Sequence, residues 1–363
     1  MMSDYQQQLK DKQSRLQTLL APFFQGDLTL YASPAEYHRL RAEFRVWHDN
    51  GQCSYVMTPP GEKPRPDTII RLKQFPTANQ RINTLMPQLL DAIHADSILR
   101  ERLYQVEFLS TLNGDDLITM IYHRKLDEAW QQTARQLEER LGTAIIGRSR
   151  KQKVVLSRDY VTETLNIDGI SFQYRQYEGS FTQPNGHICE SMLSWATQHN
   201  HQPQRDLLEL YCGNGTFTLP LAHNYRRVLA TEISKTGVQA LRDNILLNGI
   251  SNIAVARLSA QEFTEAWQGE REFNRLKQDN ISLSDYDFAA VFVDPPRAGI
   301  DDDTLNLLSN FEQITYVSCN PETLAANLHQ LTRTHDVTAA ALFDQFPFTP
   351  HIESGVILQK RND

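Results

Sequence analysis

The stretch Asp206-Leu207-Leu208-Glu209-Leu210-Tyr211-Cys212-Gly213-Asn214-Gly215-Thr216-Phe217-Thr218-Leu219 reads as an apolar strand, a tight turn and the start of a helix. Glycines at 213 and 215 let the backbone turn sharply and come close to a ligand at the carboxyl end of the strand. A dinucleotide fingerprint wants a third glycine at position 218, where this chain has Thr218. That departure, with Glu209 inside the strand, favours S-adenosylmethionine over NAD, because a cofactor without phosphate needs no phosphate cradle. An NAD-dependent enzyme stays as the weaker alternative.

Around the turn, residues 217–223, 227–232, 235–248, 253–257, 289–294, 305–311, 314–318 and 321–334 alternate between helical and strand patterns. Such alternation implies a mainly parallel sheet covered on both faces, a Rossmann-like α/β domain. The run Val228-Leu229-Ala230-Thr231-Glu232 ends in a carboxylate that can accept both hydroxyls of a ribose, or simply cap the helix that follows. The buried run at 289–294 stops at Asp294-Pro295-Pro296-Arg297, whose prolines forbid further ladder pairing and hold a rigid turn at the same edge. Asp294 can hydrogen-bond the amide edge of a base, and Arg297 can pair with a phosphate or carbonyl oxygen.

Val317-Ser318-Cys319-Asn320-Pro321-Glu322-Thr323 sets one cysteine between an apolar run and a helix start. A thiolate there gains stability from the positive end of the helix, which makes Cys319 a candidate nucleophile; a buried structural cysteine is the plain alternative. Near the end, Phe346-Pro347-Phe348-Thr349-Pro350-His351-Ile352-Glu353-Ser354 reads as a loop feeding a last strand. Glu353 at the strand mouth is a candidate base if partial burial raises its pKa, and His351 is its rival.

Before Gly179 the texture differs. Residues 3–20 read as an exposed amphipathic helix ending before Pro22, while 41–47 and 117–122 alternate as half-buried strands. A helical stretch at 129–141 and strand-like segments at 153–156 and 170–175 complete an α+β half with an antiparallel sheet. The expected division is an N-terminal α+β domain over residues 1–179 and the α/β domain over 180–363.

A chain of 363 residues is long enough for two such cores. Its net charge of -8, from 36 basic and 44 acidic side chains, argues against a protein that coats nucleic acid indiscriminately. The first half is nonetheless richer in basic residues, with Arg39, Arg41 and Arg45 close together and Arg148, Arg150, Lys151, Lys153 and Arg158 in one acid-free run. Local patches of this kind can hold a phosphate backbone, although a charge run is as often a solvated face. Cys53, Cys189, Cys212 and Cys319 form no C-x-x-C pair, so no metal or iron–sulfur cluster has a local ligand set. The start lacks a signal-peptide layout and no apolar run is long enough to span a membrane, so a cytoplasmic protein with no membrane partner is expected.

At these residues the chain resembles the RNA uracil-C5 methyltransferases, and among them the bacterial tRNA (uracil-5-)-methyltransferases that form ribothymidine in the T-loop. The resemblance runs nearly end to end, through Arg41-Ala42-Glu43-Phe44-Arg45, Ser180-Phe181-Thr182-Gln183-Pro184-Asn185, the glycine turn, Asp294-Pro295-Pro296-Arg297, Ser318-Cys319-Asn320-Pro321 and Phe343-Asp344-Gln345-Phe346-Pro347. It implies a class I SAM-dependent methyltransferase domain behind an RNA-binding domain. Cys319 is then the nucleophile and Glu353 the base, with Gln183, Tyr211, Gly213, Gly215, Thr216, Glu232 and Asp294 around the cofactor and the base. The family pattern has Asn where this chain has Thr216, whose side chain offers fewer hydrogen bonds, so its backbone N–H is the contact that remains. The resemblance implies that Tyr104 and His123 stack on RNA bases, and the positive charge of Arg41, Arg45 and Arg297 makes them further RNA-contact candidates.

The implied substrate is the T-arm of tRNA, with a T-like loop of tmRNA beside it, and the implied form is a monomer. Ribosomal-RNA relatives carry an N-terminal barrel and a four-cysteine cluster motif, neither readable here; an rRNA enzyme and a non-catalytic tRNA-binding or folding module are the alternatives.

Overall fold

The computed structural model describes residues 2–59 and 61–361. They gather into two compact units. One holds the residues to Ala35, Leu165–Tyr174 and the residues from His187; the other holds Glu36–Thr164 and Arg175–Gly186. The expected boundary at 179/180 thus differs from the observed grouping. The N-terminal helix and the strand Thr29–Tyr31 (β1) group with the C-terminal half, because their apolar faces are buried there.

In the Glu36–Thr164 unit, β2 (Arg41–Asp49), β3 (Gln52–Met57), β4 (Ile70–Leu72), β5 (Leu103–Ser110), β6 (Asp116–Tyr122), β7 (Ala144–Ser149) and β8 (Gln152–Val155) form one sheet in the order β4-β3-β2-β5-β6-β7-β8. Every pairing is antiparallel except β6 with β7, which is parallel because the helix Glu128–Leu141 crosses over between them. Alternation in β2 buries Ala42, Phe44 and Val46, and Ile82, Leu85 and Leu89 of the helix Gln80–Ala95 join them in one core. Both helices start on side-chain caps, with Asn79 accepting from the Ile82 N–H and Asp127 from the Trp130 N–H. Trp130 lies against Gly147, where a Cβ would come within 2.3 Å of the indole. A hairpin, β9 (Tyr160–Ile167) and β10 (Ile170–Tyr177), whose turn end belongs to the other unit, turns on Asp168 and Gly169, both at positive φ.

In the other unit β11 (Gln202–Leu210), β12 (Tyr225–Thr231), β13 (Ile253–Ala256), β14 (Phe288–Val293), β15 (Gln313–Ser318), β16 (His335–Phe343) and β17 (Glu353–Lys360) join β1 in the order β1-β16-β17-β15-β14-β11-β12-β13. All neighbours are parallel except β17, which is inserted antiparallel between β15 and β16. This is the expected Rossmann-like class I methyltransferase arrangement. The chain leaves β11 towards β12 on one side and returns to β14 on the other, so the carboxyl end of β11 is a topological switch point.

The helix Met2–Leu20 is present, but it is not simply exposed. Tyr5, Leu9, Leu16 and Leu20 enter the core with Leu324, Leu328 and Leu331 of the helix Pro321–Leu331. Among the described residues no helix is long and apolar enough to cross a membrane.

At the start of β11, fully buried Asp206 accepts hydrogen bonds from Arg226 Nε (2.9 Å), Arg227 Nη2 (2.8 Å) and the Asp287 N–H (2.8 Å). Burial pushes its pKa up, but the hydrogen bonds from Arg226 and Arg227 and the Asp287 N–H win and hold it at about 2. A depressed carboxyl pKa contributes stability that is present above the unfolded value, about 4, and lost as pH falls through about 2. Asp206→Asn is therefore expected to lower the melting temperature at pH 7 and to lose less stability than wild type across that acid window. Parallel melting curves at every pH would contradict this.

Candidate active site

Three strands end at one edge. Ser318 closes β15 and pairs with Ser354 of β17, so Cys319 and Glu353, each one step beyond that pair, adjoin at the sheet mouth. Val293 of β14 is level with Tyr316 of β15, which brings Asp294 to the same edge. Ser318 Oγ accepts from the Asn320 N–H (3.1 Å), and Ser354 Oγ donates to the Ser318 carbonyl (3.2 Å), fixing the backbone on either side of the thiol.

The Pro295-Pro296 turn is fastened to the helix after Cys319. Asn320 Nδ2 donates to the Arg297 carbonyl (3.1 Å), and Asn327 takes both the Ile300 N–H (3.2 Å) and the Tyr316 hydroxyl (2.8 Å) on Oδ1. Gly299 has φ +84°, and a Cβ there would stand 3.0 Å from Asn327 Oδ1. Asn327 and Gly299 were not among the sequence candidates; an amide in the middle of an amphipathic helix was the available signal.

Glu353 is 5% exposed. Burial, with the nearby Asp294 charge, pushes its carboxyl well above the usual range, and burial pushes Asp294 up as well. Cys319 is half-buried; burial and then the charges of Glu353 and Asp294 push its thiol up, while Arg297 pulls the other way. The helix start expected to favour a thiolate does follow at Pro321, while burial and the two nearby acids push the thiol the other way. His351, the rival base, is exposed and sets its ring edge-on to Phe346.

The glycine turn follows β11 directly. Tyr211 sits at φ +62°, rare for a side chain of its size, and Gly213 and Gly215 also have positive φ. A Cβ on Gly215 would fall 2.3 Å from Leu241, whereas one on Gly213 would meet nothing within 4 Å, so that side of the turn is open. Glu232 Oε2 accepts the Gly213 N–H (3.1 Å) and Oε1 the Ser234 N–H (2.7 Å), while Ser234 caps the helix Lys235–Leu247. Glu232 therefore braces the turn and keeps lone pairs for further donors. The Thr216 hydroxyl donates to Asn214 Oδ1 (2.7 Å), and the Thr216 carbonyl accepts from Tyr174 (3.0 Å). Beneath the turn, Glu209 is 1% exposed and its Oε2 has no hydrogen-bond partner among the described residues. Burial, reinforced by Asp294, pushes Glu209 up to about 8.

These residues fit a nucleoside better than a dinucleotide. Glu232 can still accept ribose hydroxyls, and an open face lies at Gly213. The helix after the turn, Thr218–Leu221, is too short to offer a pyrophosphate the N-terminus of a full helix. Gln183 falls in the Arg175–Gly186 segment of the other unit and is half-buried. Among the described residues no His, Cys, Asp or Glu cluster has the arrangement of a metal site.

In the Glu36–Thr164 unit the guanidinium of Arg45 lies 3.6 Å over the ring of Tyr104, and Tyr104 stacks on exposed His123 with centroids 4.0 Å apart. The three line one pocket with Trp47 and Arg102. Arg41 is engaged within its unit, donating to the Ser180 carbonyl (3.0 Å) and facing Glu43 and Glu107. The basic run is also largely paired: Arg148 with Glu178, Lys153 with Asp159, Arg158 with Asp115. Arg150 and Lys151 are exposed at its turn.

Of the four free cysteines only Cys319 is not buried. Alkylation with iodoacetamide, followed by peptide mass mapping, is expected to label Cys319 first, with a pH midpoint above that of an ordinary thiol. Asp294→Asn removes a like charge and should move the midpoint down; an unmoved midpoint would show that the acid and the thiol do not interact.

A family model described as tRNA (Uracil-5-)-methyltransferase matches residues 4–361. The chain is 56% identical over 360 residues, 99% of each chain, to a tRNA/tmRNA (uracil-C(5))-methyltransferase of Neisseria meningitidis serogroup A. It is 52% identical over 359 residues, again 99% of each chain, to the protein of that name in Acinetobacter baylyi. Among solved structures it is similar to the Pyrococcus abyssi tRNA (uracil-54, C5)-methyltransferase in complex with S-adenosyl-L-homocysteine, with a TM-score of 0.72 and 20% identity, covering 98% of this chain and 83% of that one. The match across nearly the whole length, together with the identities above half, places this chain in the tRNA (uracil-5-)-methyltransferase family.

Proposed function

We propose that this chain methylates C5 of the uridine at position 54 in the T-loop of tRNA through a transient bond between Cys319 and C6 of the base. The supporting observation is a half-exposed thiol beside a buried carboxyl with a raised pKa, at a sheet edge whose glycine turn leaves open space at Gly213. The names of the Neisseria and Acinetobacter relatives extend the substrate class to tmRNA.

Tyr211, Gly213, Gly215, Glu232, Asp294 and the backbone of Thr216 would hold S-adenosylmethionine. When bound, it supplies a methyl group made electrophilic by a sulfonium. Uracil C5 is a poor nucleophile until C6 is attacked. The Cys319 thiol gives up its proton to solvent water, the thiolate sulfur bonds to C6, and the C5–C6 π electrons move into an enolate across C5, C4 and O4. Once C5 carries its methyl group, Glu353 takes the C5 proton. The freed electron pair restores the C5–C6 double bond, and the sulfur–carbon bond breaks to return Cys319 as a thiolate. Burial raises the Glu353 carboxyl above its ordinary range, so it holds a proton more readily than an exposed carboxylate would, which suits it to take the C5 proton. Asp294 orients the base edge, and Arg297 faces developing charge on the base or an RNA phosphate.

C6 is reachable only in an unstacked uridine, so the base has to leave the loop. The Arg45–Tyr104–His123 stack offers flat surfaces for neighbouring bases, and Arg41, Arg150 and Lys151 offer positive charge for the backbone. The protein acts in this reading as a cytoplasmic monomer.

With tRNA carrying 5-fluorouridine at position 54, wild type and S-adenosylmethionine should yield an SDS-resistant protein–RNA complex, because fluorine cannot leave as a proton does. Cys319→Ala should yield none. Mass spectrometry of ordinary tRNA should map 5-methyluridine to position 54 alone, and tRNA binding should weaken as salt rises. A protein that binds tRNA yet leaves no methyl group and no complex would be a binding or folding module instead.

A further inference from the structure

The N-terminal helix carries a polar face that the chemistry above leaves unused. Gln8, Lys12 and Arg15 recur at the spacing of one helix face, and all three reach the loop between β16 and β17 that delivers Glu353. Lys12, 4% exposed, bonds Asp344 Oδ1 (2.7 Å) at the start of that loop and the Phe346 carbonyl (2.8 Å) within it. The amide of Gln8 accepts the Phe348 N–H (2.8 Å) and donates to the Thr349 carbonyl (3.3 Å), as a neighbouring strand would. Arg15 donates to the Pro350 carbonyl (3.0 Å) and pairs with Glu322, in the first turn of the helix that begins two residues after Cys319.

Core stability alone does not call for this set. An ammonium buried at position 12 is costly even when paired, and an apolar side chain would pack the helix without that cost. What the three side chains do hold is backbone: successive groups of a loop rich in proline, from Phe346 to Pro350, that contributes no strand pairing of its own. Arg15 touches both this loop and the helix after Cys319, so it spans the two segments that bring thiol and carboxyl to the mouth.

We propose that Gln8, Lys12 and Arg15 are positioning residues that set Glu353 against the C5 proton of the Cys319-bound base. The proposal rests on the roles given above to Cys319 and Glu353. A misplaced base slows the last step, proton removal and elimination, while leaving sulfur addition and RNA binding intact. A shift of about 1 Å in such a group is worth up to roughly a hundredfold in rate.

The test compares full-length wild type, Lys12→Met and the double variant Gln8→Ala/Arg15→Met, whose two sites lie outside the apolar core. Measured on ordinary tRNA are kcat, KM for tRNA, the steady-state fraction of SDS-resistant complex and the melting temperature. The expected result is kcat down by roughly tenfold or more, KM little changed and more covalent complex at steady state. A double variant with wild-type kcat overturns the proposal, as does a kcat loss without accumulation of the complex. If Lys12→Met does not fold, the double variant still decides. Wild type and Cys319→Ala on 5-fluorouridine tRNA run alongside: no wild-type complex there defeats the nucleophile reading itself and the proposal with it, whereas a normal one with unchanged variants defeats only the clamp.

Discussion

The pairing of Ser318 with Ser354 is the contact on which the rest of the site depends. It belongs to the ladder in which β17 runs antiparallel between β15 and β16, so the end of one strand and the beginning of another arrive at the same place. Because side chains alternate across a strand, a slip of one residue would turn Glu353 to the opposite face and remove it from Cys319. Every residue of β15 is buried, as are Glu353 to Leu358 of β17, so a slipped register would have to repack close-packed side chains on both faces of the sheet.

That edge concentrates unfavourable electrostatics. Glu209, Asp294 and Glu353 are acids near one another in poorly solvated surroundings, and each is held to its proton more tightly than usual. Cys319 shares the same field. Tyr211 adds a strained backbone at the neighbouring turn. Such features cost stability, and the surrounding fold offsets them through the buried parallel strands, the Asn327 bracket and the Asp206 cluster. Proton movement between neighbouring groups of raised pKa is the chemistry this arrangement favours.

Much of this was legible in the sequence because it is written locally. The glycine turn, the strand that stops at Asp294 and the cysteine before a helix are each set by adjacent residues whose φ/ψ limits or missing N–H groups decide the outcome. The antiparallel β17, and with it the placing of Glu353 beside Cys319, depends on strand pairing between distant segments that no local pattern encodes. The helix 3–20 is readable as an amphipathic helix, but the buried pairing of Lys12 is not, because its partner, Asp344, lies far along the chain. In the basic run at 148–158, Glu178 and Asp115 from elsewhere in the chain pair with Arg148 and Arg158, and neighbouring Asp159 pairs with Lys153. Composition changes near 179, yet the compact units follow burial, and burial draws the first 35 residues to the far half of the chain.

In the proposed reaction, sulfur and carboxyl act in sequence on one ring. Glu353→Gln keeps the shape of the site but cannot take the proton from C5. Incubated with ordinary tRNA and S-adenosylmethionine, it should accumulate a stable protein–RNA complex whose tryptic map shows methylated uridine attached through Cys319. Multiple turnover at the wild-type rate with no such complex would contradict the account.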